Sequence, residues 1–300
     1  MFYPYNLTLH RYKLVFALPE KLTISNYTGS KIRGMIGAAL KEYQAPIYQQ
    51  LYEHALDKPN PMLNAKGDDM PAPYMITPLP YNKGQRTTEV ILTLFGHFSD
   101  YFSAIVDALD KAVKDDTLSN EIFKLIHHEE LICPYTKQSS FSYIEIAHVI
   151  QRNIRRNAST NKKVPLLKFH FITSFLIEDK KQLITDFRFF NIVRALHRRV
   201  ALLSALYGNV NAKIEEIQES SELHNIQVVK VDLNRIRIIR DPSDKNQYTK
   251  YGWRGSLSYT GNDIEALLPL LHFGQYTQIG QDTAFGHGAY HLDFYTNEKE

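Results

Sequence analysis

The spacing of apolar residues changes along this 300-residue chain, and the order of these changes constrains its fold more than any other feature. In the second half, apolar side chains first recur at every second residue, as a half-buried strand requires. They then recur at intervals of four and three residues, as on one face of a helix, between a predicted cap at Asp186 and a stop at Gly208. The alternating residues are Leu167, Phe169, Phe171, Thr173 and Phe175, and the helical ones are Phe189, Val193, Leu196, Val200, Leu203 and Tyr207. Strands at 226–233, 236–239, 255–259 and 289–295 and a short helix at 263–271 complete this half.

The first half shows a similar order of patterns. A strand is predicted at 7–18, and a helix capped near Gly29 follows it. Its apolar face consists of Ile32, Met35, Ile36, Ala39 and Leu40. A second short helix begins at Pro46, and a strand at 88–94 and a helix ending near Val113 come next. The aromatic and β-branched stretch 131–150 is predicted to be extended.

Two successive β-α-β-β-α-β units predict a fold of the α+β class. Each unit matches the ferredoxin-like (RRM-like) motif, so we expect two tandem ferredoxin-like lobes, the second ending in a glycine-rich loop and a last strand. The segment between Arg152 and Pro165 is basic and lacks apolar clusters. We therefore expect an N-terminal lobe at residues 1–155 and a C-terminal lobe at residues 156–300.

The composition favours a cytoplasmic protein. The single cysteine, Cys133, excludes an internal disulfide and a cysteine-rich zinc site. No apolar run reaches the roughly 18 residues that span a bilayer, and the first residues lack the order of a signal peptide. We therefore expect no membrane association.

Positive charge is concentrated in two segments, although the net charge is only +3. Residues 151–177 contain no acid, and residues 188–199 contain four arginines and no acid. Such asymmetry predicts a basic face that follows a phosphate backbone, with scattered solvated side chains as the alternative. The candidate contacts to such a backbone are Arg152, Arg155, Arg156, Arg194, His197 and Arg198. For His197, packing between the lobes is the alternative.

The segment Gly280–Gly288 is rich in glycine. At Gly280, Gly286 and Gly288 the backbone could approach a phosphate closely and donate N–H groups to it. A glycine-rich turn before an edge strand explains the same residues. The segment is not a Walker loop, because no Lys-Ser/Thr pair follows, and no long helix follows as in a dinucleotide fingerprint.

At this loop the sequence resembles a known family. The C-terminal signature of the CRISPR precursor-RNA processing endoribonucleases, in the RAMP superfamily, is similar to four stretches here: Tyr259–Gly261, Leu267–Leu271, Phe273–Gly280 and Thr283–Gly288. Earlier landmarks of the family resemble Tyr27–Gly37, Ala72–Pro78, Leu94–Gly96 and Leu196–Arg199. The resemblance therefore extends in order along nearly the whole chain.

The resemblance implies an endoribonuclease that binds CRISPR repeat RNA and cuts precursor CRISPR RNA without a metal or other cofactor. In this chemistry a 2′-hydroxyl attacks the adjacent phosphate and leaves a 2′,3′-cyclic phosphate and a 5′-hydroxyl. The alternative is a non-cleaving RAMP subunit that holds guide RNA beside other CRISPR effector subunits. An RNA-binding protein unrelated to CRISPR would require the ordered landmarks to be coincidental.

Two departures bear on the catalyst. The family loop usually carries lysine where this chain has Gln281 or Asp282, and many relatives carry a helix histidine where this chain has Ala38. The mechanism needs a base, an acid and a cation, and histidine suits proton transfer near neutral pH.

The candidate catalytic residues are His54, Tyr27, Lys31 and His287. His54 is the predicted base, since some relatives place a histidine in that region. Tyr27 and Lys31 would orient the ribose or neutralise the phosphorane, and His287 would reach the phosphate from the other lobe. Solvated or turn residues are the alternatives for the two histidines. Residues His127–Glu130 are not expected to bind a metal, because neighbouring side chains there point apart.

Overall fold

The computed structural model describes residues 5–18, 28–53, 70–81, 84–115, 123–157, 164–179, 182–208, 217, 223, 225–239 and 249–297. The first lobe contains β1 (Thr8–Ala17), α1 (Thr28–Tyr43), α2 (Ala45–Tyr52), β2 (Tyr74–Pro78), β3 (Thr87–Phe95), α3 (Phe102–Lys114) and β4 (Lys124–Glu130). A short β5 (Ser140–Ser142) and α4 (Tyr143–Asn157) follow. The second lobe contains β6 (Val164–Phe175), β7 (Glu178–Asp179), β8 (Gln182–Leu183), α5 (Phe189–Tyr207), β9 (Gln227–Ile239), β10 (Thr249–Thr260), α6 (Leu268–Thr277) and β11 (Tyr290–Asn297).

The two sheets share one topology, which confirms the predicted fold class. The first is ordered β2-β3-β1-β4 and the second β11-β6-β10-β9, and every pairing is antiparallel. In each lobe the first and third strands lie at the centre, as in a ferredoxin-like fold. Helices cover one face of each sheet, where the predicted apolar stripes are buried.

The prediction that residues 131–150 are extended is wrong. Only β5 is extended there, and α4 begins at Tyr143. The Glu145 carboxylate accepts hydrogen bonds from the Ser142 backbone N–H at 2.7 Å and from its hydroxyl at 2.8 Å, and Glu145 N–H donates back to that hydroxyl. This capping box starts the helix despite the β-branched composition.

Asp186 is not the cap of α5. The helix begins at Phe189, with Arg188 at the N-cap position. The Asp186 carboxylate instead accepts from the Arg188 backbone N–H at 3.1 Å and from its guanidinium at 2.6 Å. These hydrogen bonds hold the pKa of Asp186 below its usual value, against the opposing effect of desolvation.

The lobes pack through α6, which contacts both α4 and α5. Aromatic rings fill part of this contact: Phe273 lies 5.5 Å from Tyr143, and Tyr276 lies 4.9 Å from Phe141. The Arg11 guanidinium stacks 4.8 Å from the Tyr276 ring, and burial lowers the Arg11 pKa. The predicted boundary between residues 155 and 156 falls in the last turn of α4, so we propose that α4 links the lobes.

A half-buried histidine belongs to the same contact. His272 on α6 accepts at Nδ1 from the Tyr135 hydroxyl, 2.7 Å away, and lies 3.2 Å from the Gln275 amide nitrogen. Burial lowers the pKa of His272 to about 4. The ring is therefore neutral at physiological pH and acts in packing. Within the described residues, no helix is long and apolar enough to cross a membrane.

Candidate active site

The N-terminus of α1 is suited to an anion. This helix of 16 residues has no acidic side chain in its first turn, and Lys31 lies exposed there. The unsatisfied N–H groups and the macrodipole give such an end a partial positive charge. A phosphate bound here would meet both the helix end and the Lys31 ammonium.

The glycine-rich loop of the second lobe lies directly against this helix end. A Cβ at Gly29 would stand 2.3 Å from the Phe285 carbonyl oxygen, and a Cβ at Gly286 would stand 2.7 Å from Pro78 Cδ in β2. Gly286 also has a φ of +98°. Both positions therefore need glycine: at Gly29 the backbones of the two lobes meet, and at Gly286 the positive φ and the Pro78 ring exclude a Cβ.

Two backbone N–H groups of the loop already donate to carbonyl groups of the protein. Gly286 N–H donates to the Thr283 carbonyl at 3.0 Å, and Gly288 N–H donates to the Ser174 carbonyl at 2.8 Å. A Cβ at Gly280 would stand 2.1 Å from the Leu176 carbonyl oxygen. The prediction that Gly286 and Gly288 present N–H groups to a phosphate is therefore wrong; the glycines shape the loop. Whether the loop contacts RNA through other groups stays a prediction.

A lysine of β10 contacts the glycine loop, although the sequence did not predict this contact. The Lys250 ammonium on β10 lies 2.9 Å from the Asp282 carboxylate, and both side chains are largely buried. The negative charge that Asp282 brings to the loop is thus balanced by a lysine 32 residues earlier in the chain. No sequence spacing indicates this pair.

Arg33 joins the two lobes beside the helix end. Its guanidinium lies 4.9 Å from the Tyr52 ring of α2 and 4.5 Å from the Phe285 ring of the loop. The Tyr52 hydroxyl donates to the Arg33 carbonyl at 2.7 Å, and burial raises the pKa of Tyr52. Sequence reasoning missed this stack, although Arg33 lies within the family-like stretch Tyr27–Gly37.

The two histidines predicted in the second lobe are both buried. His287 is 8% exposed, and its Nδ1 lies 2.9 Å from the Ser174 hydroxyl. His197 is 4% exposed, and its Nδ1 is hydrogen-bonded to the Tyr5 hydroxyl of the first lobe. The structure favours the alternative of interface packing for His197 over an RNA contact. A catalytic role for His287 stays a prediction that requires its exposure.

The other catalytic candidates are only partly described. Tyr27 and His54 lie outside the described residues. Ala38, the position where relatives carry histidine, is exposed on α1. The structure thus brings Lys31 and the glycine loop to one helix end. Over the ranges that it describes, no three histidine, cysteine or acidic side chains come close enough to hold a metal ion.

The arginine candidates lie on two helices that both contact α6. Arg152 and Arg155 are exposed on α4, and Arg198 is exposed on α5. Arg194 is half-buried, with its guanidinium 5.5 Å from the Phe190 ring. The side chain of Arg156 lies outside the description. These positions suit phosphate contacts, which stay a prediction.

Comparison with protein-family models gives one match in each lobe. Residues 167–290 match the sequence model of the CRISPR-associated endoribonuclease Cas6, a range that spans most of the second lobe and its whole glycine loop. The second lobe is therefore similar in sequence to Cas6. Residues 7–131 match a second model, described as an N-terminal domain. The family that this first model describes consists of CRISPR-associated endoribonucleases.

Solved structures show the same fold. A Cas6 of Thermus thermophilus is 17% identical, with a TM-score of 0.57, over 96% of this chain and 99% of that one. A product complex of the same Cas6 is 16% identical at the same TM-score, over 95% and 100%. A partial Cas6-RT-Cas1–Cas2 complex is 12% identical with a TM-score of 0.62, and it covers 100% of this chain, which spans 48% of that one. A search of curated proteins finds no match.

Proposed function

We propose that this protein acts as the similar Cas6 enzymes do: it binds CRISPR repeat RNA and cleaves precursor CRISPR RNA by attack of a 2′-hydroxyl. The observation that carries the proposal is the contact between the N-terminus of α1 and the glycine loop. Lys31 lies exposed in the first turn of the same helix. Two lobes meet there beside a helix end that favours an anion. A scissile phosphate seated at this end would be held by groups of both lobes.

Each step of the proposed reaction has a candidate residue. His54 takes the proton from the 2′-hydroxyl, whose oxygen bonds to phosphorus as the bond to the 5′-oxygen breaks. A protonated acid, for which His287 is the candidate, supplies the proton of the 5′-hydroxyl product. Lys31 and the helix end stabilise the charge of the phosphorane, and Tyr27 orients the ribose. The other product end is a 2′,3′-cyclic phosphate.

The proposed partner is the CRISPR repeat RNA. The similar Thermus thermophilus structure is a product complex, and the Cas6-RT-Cas1–Cas2 complex shows a related lobe pair among other CRISPR proteins. We extend both partner classes to this chain as proposals. The proposed activity on RNA is compatible with the reducing cytoplasm. The single cysteine, Cys133, which is buried, is compatible with it as well.

A non-cleaving role is the second candidate, because α1 carries Ala38 where relatives carry histidine. Such a protein would hold guide RNA in an effector complex. Tight repeat binding by the wild-type protein without any cutting would support this role and remove the proposed reaction.

Cleavage in EDTA tests the mechanism. Purified protein incubated with its cognate repeat RNA in EDTA is expected to cut once per repeat, since protein groups supply the base, the acid and the cation. Mass spectrometry of the fragments should show a 2′,3′-cyclic phosphate and a 5′-hydroxyl. A strict requirement for Mg²⁺ or Mn²⁺, or a 3′-hydroxyl product, would contradict the mechanism.

Substitution of Arg194 and Arg198 by alanine tests the basic face. For each phosphate that an arginine no longer neutralises, repeat binding should weaken and the slope of log affinity against log salt should fall by about 0.7. Lys114→Ala, on α3 of the first lobe, is the control and should leave both quantities unchanged. Equal affinity and equal salt slope in the double variant and the wild type would exclude α5 from the RNA surface.

A further inference from the structure

Strand β9 presents a long open edge. Among the strands that the structure describes, it lies at the end of the second sheet and pairs only with β10 over its 13 residues. Three valines on this strand are unusually exposed: Val228 by 39%, Val229 by 55% and Val231 by 48%. Unpaired N–H and C=O groups beside exposed apolar side chains form a template for another strand.

The charges of β9 are complementary to themselves. Lys230 and Asp232 flank Val231, and their side chains are 67% and 62% exposed. Within the strand they lie 3.8 Å apart, a surface ion pair that contributes little to stability. If a second β9 pairs antiparallel about a two-fold axis at Val231, each Lys230 stands opposite Asp232 of the second copy. Opposite charges directly across a strand pair attract each other, and here the pair occurs twice.

Other symmetric registers lack this match. Centring the pair on Asp232 sets two aspartates against each other, and centring it on Arg235 sets two arginines against each other. Centring it on Leu233 leaves Asp232 opposite Asn234. The pairing of β9 with β10 is regular from residue 230 to residue 239, so residues 230–232 can extend the ladder without a bulge.

We propose that β9 pairs with β9 of a second copy of this chain, in the register centred on Val231. The two four-stranded sheets then join edge to edge, and Val231 of each copy covers that of the other. The glycine loop and the end of α1 are outside this contact.

A cysteine at the symmetry axis tests the register. Opposite residues of an antiparallel pair have Cα atoms about 4.5–5.5 Å apart, within the range that a disulfide bridges. The native Cys133 is fully buried, so Val231→Cys places one accessible thiol on the axis. Mild oxidation should convert most of this variant to a covalent species of twice the 34.7 kDa chain mass. Arg237→Cys is exposed on the same strand but away from the axis, and it should not cross-link.

Charge reversal tests the same contact in solution. Sedimentation velocity over a range of concentrations should show a dimer whose Kd rises at least about tenfold in Lys230→Asp and recovers in Lys230→Asp/Asp232→Lys. Both positions are exposed, and far-ultraviolet circular dichroism verifies folding. A monomer at all concentrations overturns the proposal, as does a dimer that neither responds to Lys230→Asp nor cross-links through Val231→Cys. None of these readouts depends on RNA cleavage.

Discussion

Replacing His54 by alanine is expected to lower the single-turnover cleavage rate by at least about 10²-fold, with little change in RNA affinity. This is the usual loss when a general acid or base is removed. His54 follows Tyr52 by two residues, and Tyr52 packs on Arg33 of α1. His54 itself lies outside the described residues, so its closeness to the end of α1 is part of the prediction. Rates are measured at saturating protein, and affinity is measured separately.

A second histidine provides the control for this experiment. His291 on β11 has a side chain that is 62% exposed, and His291→Ala should cut at the wild-type rate. Wild-type cutting by His54→Ala together with a large loss in His287→Ala would move the catalyst to the second lobe. Because His287 is buried and hydrogen-bonded to Ser174, the thermal stability of that variant must be measured alongside its rate.

Gly29→Ala is expected to reduce cleavage by about 10²-fold and to destabilise the protein. The new Cβ would stand 2.3 Å from the Phe285 carbonyl oxygen, so the glycine loop or the helix end must shift. A displacement of about 1 Å at an active site costs a factor of this size, and overpacking costs about 1–3 kcal/mol. Single-turnover cleavage and thermal unfolding measure the two effects.

Gly34→Ala on the same helix is the matched control. Among the described residues, no heavy atom beyond its chain neighbours and the backbone of its own helix lies within 4 Å of a Cβ at Gly34, and alanine is the better helix former by about 1 kcal/mol. This variant should be as stable as the wild type or more so, and fully active. If Gly29→Ala cut as fast as Gly34→Ala, the contact between α1 and the loop would have no part in cleavage.

Local patterns predicted most of the elements but not all of their boundaries. The alternation in β6 and the apolar stripe of α5 each depend on residues close in sequence, and both elements formed as predicted. The wrong prediction at 131–150 could have been avoided from the sequence, because Ser142 and Glu145 have the spacing of a capping box. The β-branched composition outweighed that signal in the prediction.

The candidate site was predictable only in part. Lys31 and the glycine loop were identified from the family-like stretches, whereas the Arg33 stack and the Lys250–Asp282 pair were not. Both of the missed contacts join residues that are far apart in the sequence, and a single sequence has no periodicity that reports such pairs. The use of the loop N–H groups could not be predicted either, because it depends on the Ser174 carbonyl of β6.

The sequence by itself predicted most of the strands and helices, though not β4, and their order indicated the tandem ferredoxin-like fold, because the apolar period is a local property of the chain. It also carried the resemblance to the CRISPR RNA-processing endoribonucleases, through the stretches that end in Gly288. Only the tertiary structure decided which groups face solvent. Close packing between the lobes buried His197 and His287, which sequence patterns treat like any exposed histidine. The same packing places Phe285 against Gly29, 256 positions away in the sequence. This contact brings the second lobe to the end of α1.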